Sequence, residues 1–147
     1  MPEYAGLHVL KSLYHIDNEY DYFIPPHLRD DIRVGDFVSV PFGTANAREI
    51  ALVVSLKDCP SDKNRSYKPI DYICDKRLSL SDEMLGLCFF MKEQTLCTIG
   101  DAVRSMIPAA VLTRPRSVYM PTDAERPSDA ALDPSTLYIL DFIKKEC

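Results

Sequence analysis

The sequence predicts an α+β fold: a small β-barrel or strongly twisted sheet, then two helices, then a linker and the start of a further helix. Three observations predict it. Short apolar runs rich in strand formers recur at close spacing up to residue 74, the pattern of a small all-β core. After Ser81 the apolar period lengthens to that of a helix. At 122–134 an acidic stretch with Pro and small residues breaks the pattern and reads as a linker.

The first run is "AGLHVLKSLY" (5–14). A polar gap, "HIDNE", separates it from "YDYFIP" (20–25), a strand with Tyr20, Tyr22 and Ile24 on one side and Phe23 on the other. "RVGD" is a turn punctuated by Gly35. It leads to a strand in which Phe37, Ser39 and Pro41 alternate with Val38, Val40 and Phe42. Pro41 ends that strand or confines it to an edge. Gly43 opens the loop "GTANARE". "IALVVSLK" (50–57) is apolar on both faces, the mark of a central strand. A polar loop leads to the last short strand, "YKPIDYIC" (67–74). Strands this short and this close make the β part OB-like.

Ser81 is the expected N-cap of a helix over 82–94, with Asp82 and Glu83 where the helix dipole favours negative charge. Thr98 with Asp101 three residues on resembles a capping box and starts a second helix, Ile99 to Ile107, stopped by Pro108. "SVYMP" (117–121) reads as one more strand. Ser135 caps an amphipathic segment, "TLYILDFIKKEC". A lone amphipathic helix cannot bury its apolar face by itself, so the sequence reads as the front of a longer protein. The expected divisions are 1–112, 113–134 and 135–147.

Composition narrows the function. The chain has 147 residues, 46% hydrophobic and 27% charged, with a net charge of −5. That suits a soluble globular domain and does not suit a protein that coats nucleic acid through a broad basic face. Residues 1–120 carry 14 basic and 16 acidic side chains, and residues 121–147 carry 3 and 6. The body is close to neutral, so contact with nucleic acid would have to be local. Neither "MPEYAGLHVL" nor any apolar run has the form of a signal peptide or a membrane span, and a cytoplasmic location is the default. The five cysteines (Cys59, Cys74, Cys88, Cys97 and Cys147) form no CxxC pair, and His8, His15 and His27 lack ligand spacing. Reduced thiols fit better than a metal site.

Asp21 stands out. It lies between two tyrosines in a strand, where Asp is depleted and costly to bury unpaired. Taken singly, the residues around it have ordinary explanations. Such an Asp bonds backbone at an edge, the tyrosines pack, Gly43 turns the chain, and Lys68 blunts an edge strand.

The ordered set "YDYFIPPHL…IRVGDFVSVPFG…EIALVVSL…YKPIDYI…LCTIGDAVRSMIP" resembles the N-terminal 3′ DNA-binding domain of the PriA family (primosomal protein N-prime), the bacterial replication-restart helicases. The resemblance covers roughly residues 5–110, and the residues beyond 110 are similar to that family's linker and the first helix of its winged-helix domain. Ala51 stands where the family often has Gly, and Arg48 is the one basic residue left in "TANARE".

The resemblance implies a pocket for the free 3′ end of the nascent leading strand at an abandoned fork, made by Tyr20, Asp21, Gly43 and Lys68. Arg48, Lys63 and Arg65 would form a phosphate rim. A terminal hydroxyl is a donor and an ionised carboxylate is acceptor-only, so Asp21 would accept from the hydroxyl and repel the phosphate of a continuing strand. Tyr20 would offer a face to the terminal base, Gly43 close backbone approach, and Lys68 a cation. The resemblance also implies DNA as the partner, with single-stranded-DNA-binding protein and other primosome proteins as further candidates.

This chain has no G-x-x-x-x-G-K-[ST] loop. ATP, Mg and Zn are therefore expected only in the remainder of the parent helicase, and this part is expected to be no enzyme. A protein-interaction module without end-specific DNA binding is the main rival. A Cys/His hydrolase, which would need a thiol of depressed pKa beside a histidine, ranks below it.

Overall fold

The computed structural model describes residues 2–62 and 64–108. Lys63, the expected strand 117–121, the linker and the segment 135–147 lie outside the described residues. The described residues form five antiparallel strands and then two α-helices. The strands are β1 (Tyr4–Val9), β2 (Tyr20–Phe23), β3 (Phe37–Phe42), β4 (Ala47–Lys57) and β5 (Tyr72–Ile73), and the helices are α1 (Asp82–Thr95) and α2 (Ile99–Met106).

The sheet runs β2-β1-β4-β3-β5. β4 lies between β1 and β3, as its two apolar faces require: Ala51 and Val53 enter one core, and Ile50, Leu52 and Val54 the other. The first core lies on one face of the sheet, with Leu7, Tyr22, Ile24, Val38, Val40 and Ile70 among others. The second lies between the opposite face and the helices, with Phe37, Leu85, Cys88, Ile99 and Val103. The alternation along β3 sends Val38 and Val40 to the first core and Phe37 to the second.

The sheet is not closed by a continuous ladder. Its two edges meet at one parallel bridge, Phe23 with Pro69. Phe23 N donates to Lys68 O at 3.0 Å, and Ile70 N donates to Phe23 O at 3.0 Å.

Two expectations change in detail. β4 begins at Ala47 and pairs Ala47 with Phe42, so the loop after β3 is a tight turn over 43–46, with positive φ at Gly43 (71°) and Asn46 (50°). Of the expected strand 67–74, only Tyr72–Ile73 pairs as a strand. Pro41 sits inside β3, but β5 covers only Val38 and Ser39. The missing Pro41 N–H therefore costs no ladder bond on that side.

The helices start where their caps demand. Ser81 accepts from Met84 N, and Thr98 and Asp101 form a reciprocal capping box. α2 sits against the end of β1 at Gly100, where a Cβ would lie 2.0 Å from the Leu10 carbonyl oxygen. Asp17, in the polar gap after β1, ties this end together. Its fully buried carboxylate accepts from Lys92 Nζ (2.8 Å), Ile99 N (2.9 Å) and Ser12 Oγ (3.1 Å) and lies 3.0 Å from His8 Nδ1. Among the described residues no helix is long and apolar enough to cross a membrane.

Candidate nucleic-acid interface

β1 sets the frame of the site. Its Gly6 pairs with Asp21 on one side and Ser55 on the other, and its Tyr4 pairs with Phe23 and Lys57. Side chains two apart share a face, so Asp21 and Phe23 lie together on the face turned away from the first core. Gly6 is the floor of a polar cluster that crosses β1. A Cβ there would lie 1.9 Å from Glu19 Oε1 and 2.3 Å from Ser55 Oγ.

Asp21 is the centre of that cluster. Lys57 Nζ lies 2.8 Å from Asp21 Oδ1 and 2.7 Å from Glu19 Oε1. Ser61 N donates to Asp21 Oδ2 at 2.6 Å, and Ser55 Oγ donates to Glu19 Oε1 at 2.7 Å. The Asp21 side chain is 4% exposed. Burial would push its carboxyl up, but the Lys57 ammonium and the Ser61 N–H outweigh that and hold it below the usual carboxylate range. Asp21 is therefore an anion at neutral pH. A carboxylate offers about four lone-pair sites, so the bonds from Lys57 and Ser61 leave acceptor capacity. With Glu19 and Lys57 it forms a trio of net charge −1.

The remaining expected residues gather around the seam between the sheet edges. Lys68 Nζ donates to Gly43 O at 2.7 Å, and the Lys68 carbonyl accepts from Phe23 N. Gly43 needs its glycine for φ +71°, and no atom lies within 4 Å of where a Cβ would stand. The backbone there is open to a ligand's approach. Phe42, the residue before it, meets Tyr20 edge to face at 5.5 Å.

Tyr20, Gly43 and Lys68 thus form one connected group. Tyr20 packs against the first core, with its hydroxyl donating to Ile16 O at 2.8 Å, while Asp21 points to the opposite face of the same strand. Arg48 and Arg65 are exposed, and Arg48 Nε lies 3.5 Å from Asp71 Oδ2. That oxygen has no hydrogen-bond partner, so the pair is ionic contact without a formed hydrogen bond. Lys63 lies outside the described residues.

Sequence reasoning missed Lys57, Glu19 and Ser61. Lys57 is 36 residues from Asp21, and only the pairing of β1 with both β2 and β4 brings them together. Tyr4 was missed for the same reason, and Tyr67 because it lies in the irregular stretch before β5. Tyr4 meets Phe23 at 5.9 Å and Tyr67 at 5.6 Å, each edge to face. The Arg29 guanidinium sits 5.6 Å from the Phe23 ring centre. Among the described residues no group of three His, Cys, Asp or Glu could hold a metal ion.

Residues 9–108 match the PriA family described as "3'DNA-binding domain (3'BD)". The chain is 31% identical over 108 residues to the "Replication restart protein PriA" of Bacillus subtilis (strain 168), covering 74% of this chain and 13% of that protein. It is 26% identical over 119 residues to the protein of that name from Chlamydia muridarum, covering 76% of this chain and 16% of the relative. The Chlamydia trachomatis protein of the same name is 28% identical over 119 residues, with the same coverage. The chain thus spans about one seventh of the length of these relatives.

Proposed function

The chain belongs to the PriA 3′ DNA-binding-domain family, and from that premise we propose that it captures the free 3′-hydroxyl end of a nascent leading strand at a stalled fork. It would do so as the N-terminal part of an ATP-dependent 3′-to-5′ DNA helicase in replication restart. The observation that carries the proposal is Asp21, a nearly covered carboxylate held ionised beside the seam where Gly43 leaves open backbone and Lys68 supplies a cation.

A hydroxyl donating to that carboxylate contributes about 1.5–3 kcal/mol as a charge-assisted bond. A phosphate on the same carbon would meet a trio of net charge −1 instead. Gly43 lets DNA lie against the backbone, next to Phe42, whose ring meets Tyr20 edge to face. Arg48 and Arg65, with Lys63, serve as the phosphate rim. ATP, Mg and Zn chemistry belongs to the remainder of the parent protein.

The test is fluorescence anisotropy of the whole chain on a labelled fork whose leading strand ends in a 3′-hydroxyl or a 3′-phosphate, with Asp21→Asn alongside. The proposal expects at least about tenfold tighter binding to the hydroxyl end, lost in the variant. Equal binding to both ends sinks it.

A second reading has its own observation. α1 leaves Leu87 and Phe90 exposed, and Leu96 at its C-terminus is 76% exposed. A protein partner docking there, such as single-stranded-DNA-binding protein or another primosome component, would bind independently of Asp21.

A further inference from the structure

Three half-buried aromatic side chains, Tyr4, Phe23 and Tyr67, belong to neither hydrophobic core. They lie in edge-to-face contact on the outward side of the sheet, where β2 and the residues before β5 meet. Rings held together outside a core need a reason, because water-exposed aromatic surface is costly and normally buried.

Their placement supplies one. Phe23 is two residues beyond Asp21 on the same face, and Tyr4 stands in register between Phe23 and Lys57. A strand whose terminal 3′-hydroxyl reached Asp21 from this side would run past the rings, which begin two residues along the same face. Aromatic side chains on a sheet face next to cations are how single-stranded nucleic acid is commonly held.

The cations are present too. Arg29 lies over Phe23, bonded to Glu3 Oε1 at 3.1 Å and to Ile24 O at 3.2 Å. Lys68 follows Tyr67 in the chain and bonds the Phe23 amide through its carbonyl. Glu3, Glu19 and Asp21 place acid beside them, so the site cannot work mainly by neutralising phosphates.

We infer that Tyr4, Phe23 and Tyr67 form a stacking platform for the bases of the single DNA strand leading to the captured 3′ end. The platform rests on the end-capture proposal and extends it along the strand. It explains how a domain of negative net charge can hold DNA: by stacking, which tolerates any base and adds to what few phosphate contacts supply.

The experiment uses the whole chain and short single-stranded oligodeoxynucleotides ending in a 3′-hydroxyl. One set carries normal bases, and the other carries abasic sites over the last few nucleotides. Tyr4→Leu keeps apolar volume but removes the ring, and Tyr4→Phe keeps the ring. Phe23→Leu is the second ring deletion, should Tyr4→Leu fail to fold by circular dichroism.

Tyr4→Leu should weaken binding of the base-bearing strand about tenfold, the worth of one stacked base. It should leave the abasic strand unchanged, and Tyr4→Phe should bind like the parent. Equal losses on both strands, or no loss on either, overturn the platform. A preserved hydroxyl-over-phosphate preference with no Tyr4 effect sinks the platform alone. A base-dependent Tyr4 effect without that preference sinks end capture alone. No DNA binding by the parent chain sinks both.

Discussion

Replacing Asp17 tests the link between the sheet and the helices. Its carboxylate is fully buried, and four groups converge on it: Lys92 Nζ, Ile99 N, Ser12 Oγ and His8 Nδ1. In Asp17→Ala the Ile99 N–H at the start of α2 loses its acceptor in a fully buried position, a cost of about 1–3 kcal/mol. Removing one member of a buried ion pair costs about 3–5 kcal/mol. The Lys92 side chain is 27% exposed, so it can regain water and the lower part of that range applies.

The expected loss is about 4 kcal/mol in all, a large share of the roughly 5–15 kcal/mol that stabilises a domain. With a urea m-value of about 2 kcal/mol/M, the midpoint should fall by about 2 M. Circular dichroism of the whole chain in urea measures it. Asp17→Asn, which keeps an acceptor for Ile99 N, should lose clearly less. A fall under about 0.5 M in Asp17→Ala would refute the reasoning.

The same residue fixes an acid limit. Burial pushes the Asp17 carboxyl up, but Lys92, the Ile99 N–H and His8 together hold it below its ordinary 3.8. A carboxylate with a depressed folded pKa contributes stability that is complete above the unfolded value and is lost as pH falls through the folded one. Asp21 and Glu19 are depressed in the same sense. Urea midpoints should therefore hold steady down to about pH 5 and drop below about pH 4, and in Asp17→Ala part of that drop should be missing.

Other outcomes rest on single contacts. Gly100→Ala puts a Cβ 2.0 Å from the Leu10 carbonyl oxygen and 2.8 Å from its carbon, both backbone atoms. It should cost about 3 kcal/mol as overpacking, seen as a melting point lower by roughly 10 °C. Lys57→Gln removes the partner that most offsets the burial of Asp21, so the Asp21 pKa should rise. Any preference for a 3′-hydroxyl should then fade at a higher pH than in the parent, and superimposable pH profiles would count against Lys57 as a positioning residue. Cys59 is exposed, whereas burial pushes the Cys74 and Cys88 thiols up to about 11. A thiol reagent at neutral pH should label Cys59 quickly and reach those two only on unfolding, which mass spectrometry of timed samples would reveal.

The elements legible in the sequence were those written in local chemistry. Ser81 and the Thr98–Asp101 box announce their helices because a cap is a contact within four residues. β4 announced its central place because both of its faces are apolar. The turn after β3 was shorter than expected because Asn46 takes a positive φ and lets pairing resume at Ala47. The sequence also singled out Asp21 as a strand carboxylate in need of a partner. It could not supply Lys57, because a residue's neighbour across two strands depends on a register, and that register includes an irregularity between Gly6 and Leu7. Tyr20 and Asp21 are adjacent in the chain, yet strand alternation turns them to opposite faces.

The single bridge between Phe23 and Pro69 has a consequence for how binding would be felt by the rest of the domain. Distant parts of the chain are joined there by two backbone hydrogen bonds, and proline, with no N–H, cannot donate a third. Lys68 and Gly43 flank one side of that junction, and Asp21 with Phe23 the other. A strand end gripping both sides would act as a clasp across the weakest line of the sheet. By linkage, whatever binds only the joined form stabilises the joint. DNA should then slow hydrogen exchange at the Phe23 and Ile70 amides more than at those deep in β4, so that a small ligand at one rim tightens the whole wall.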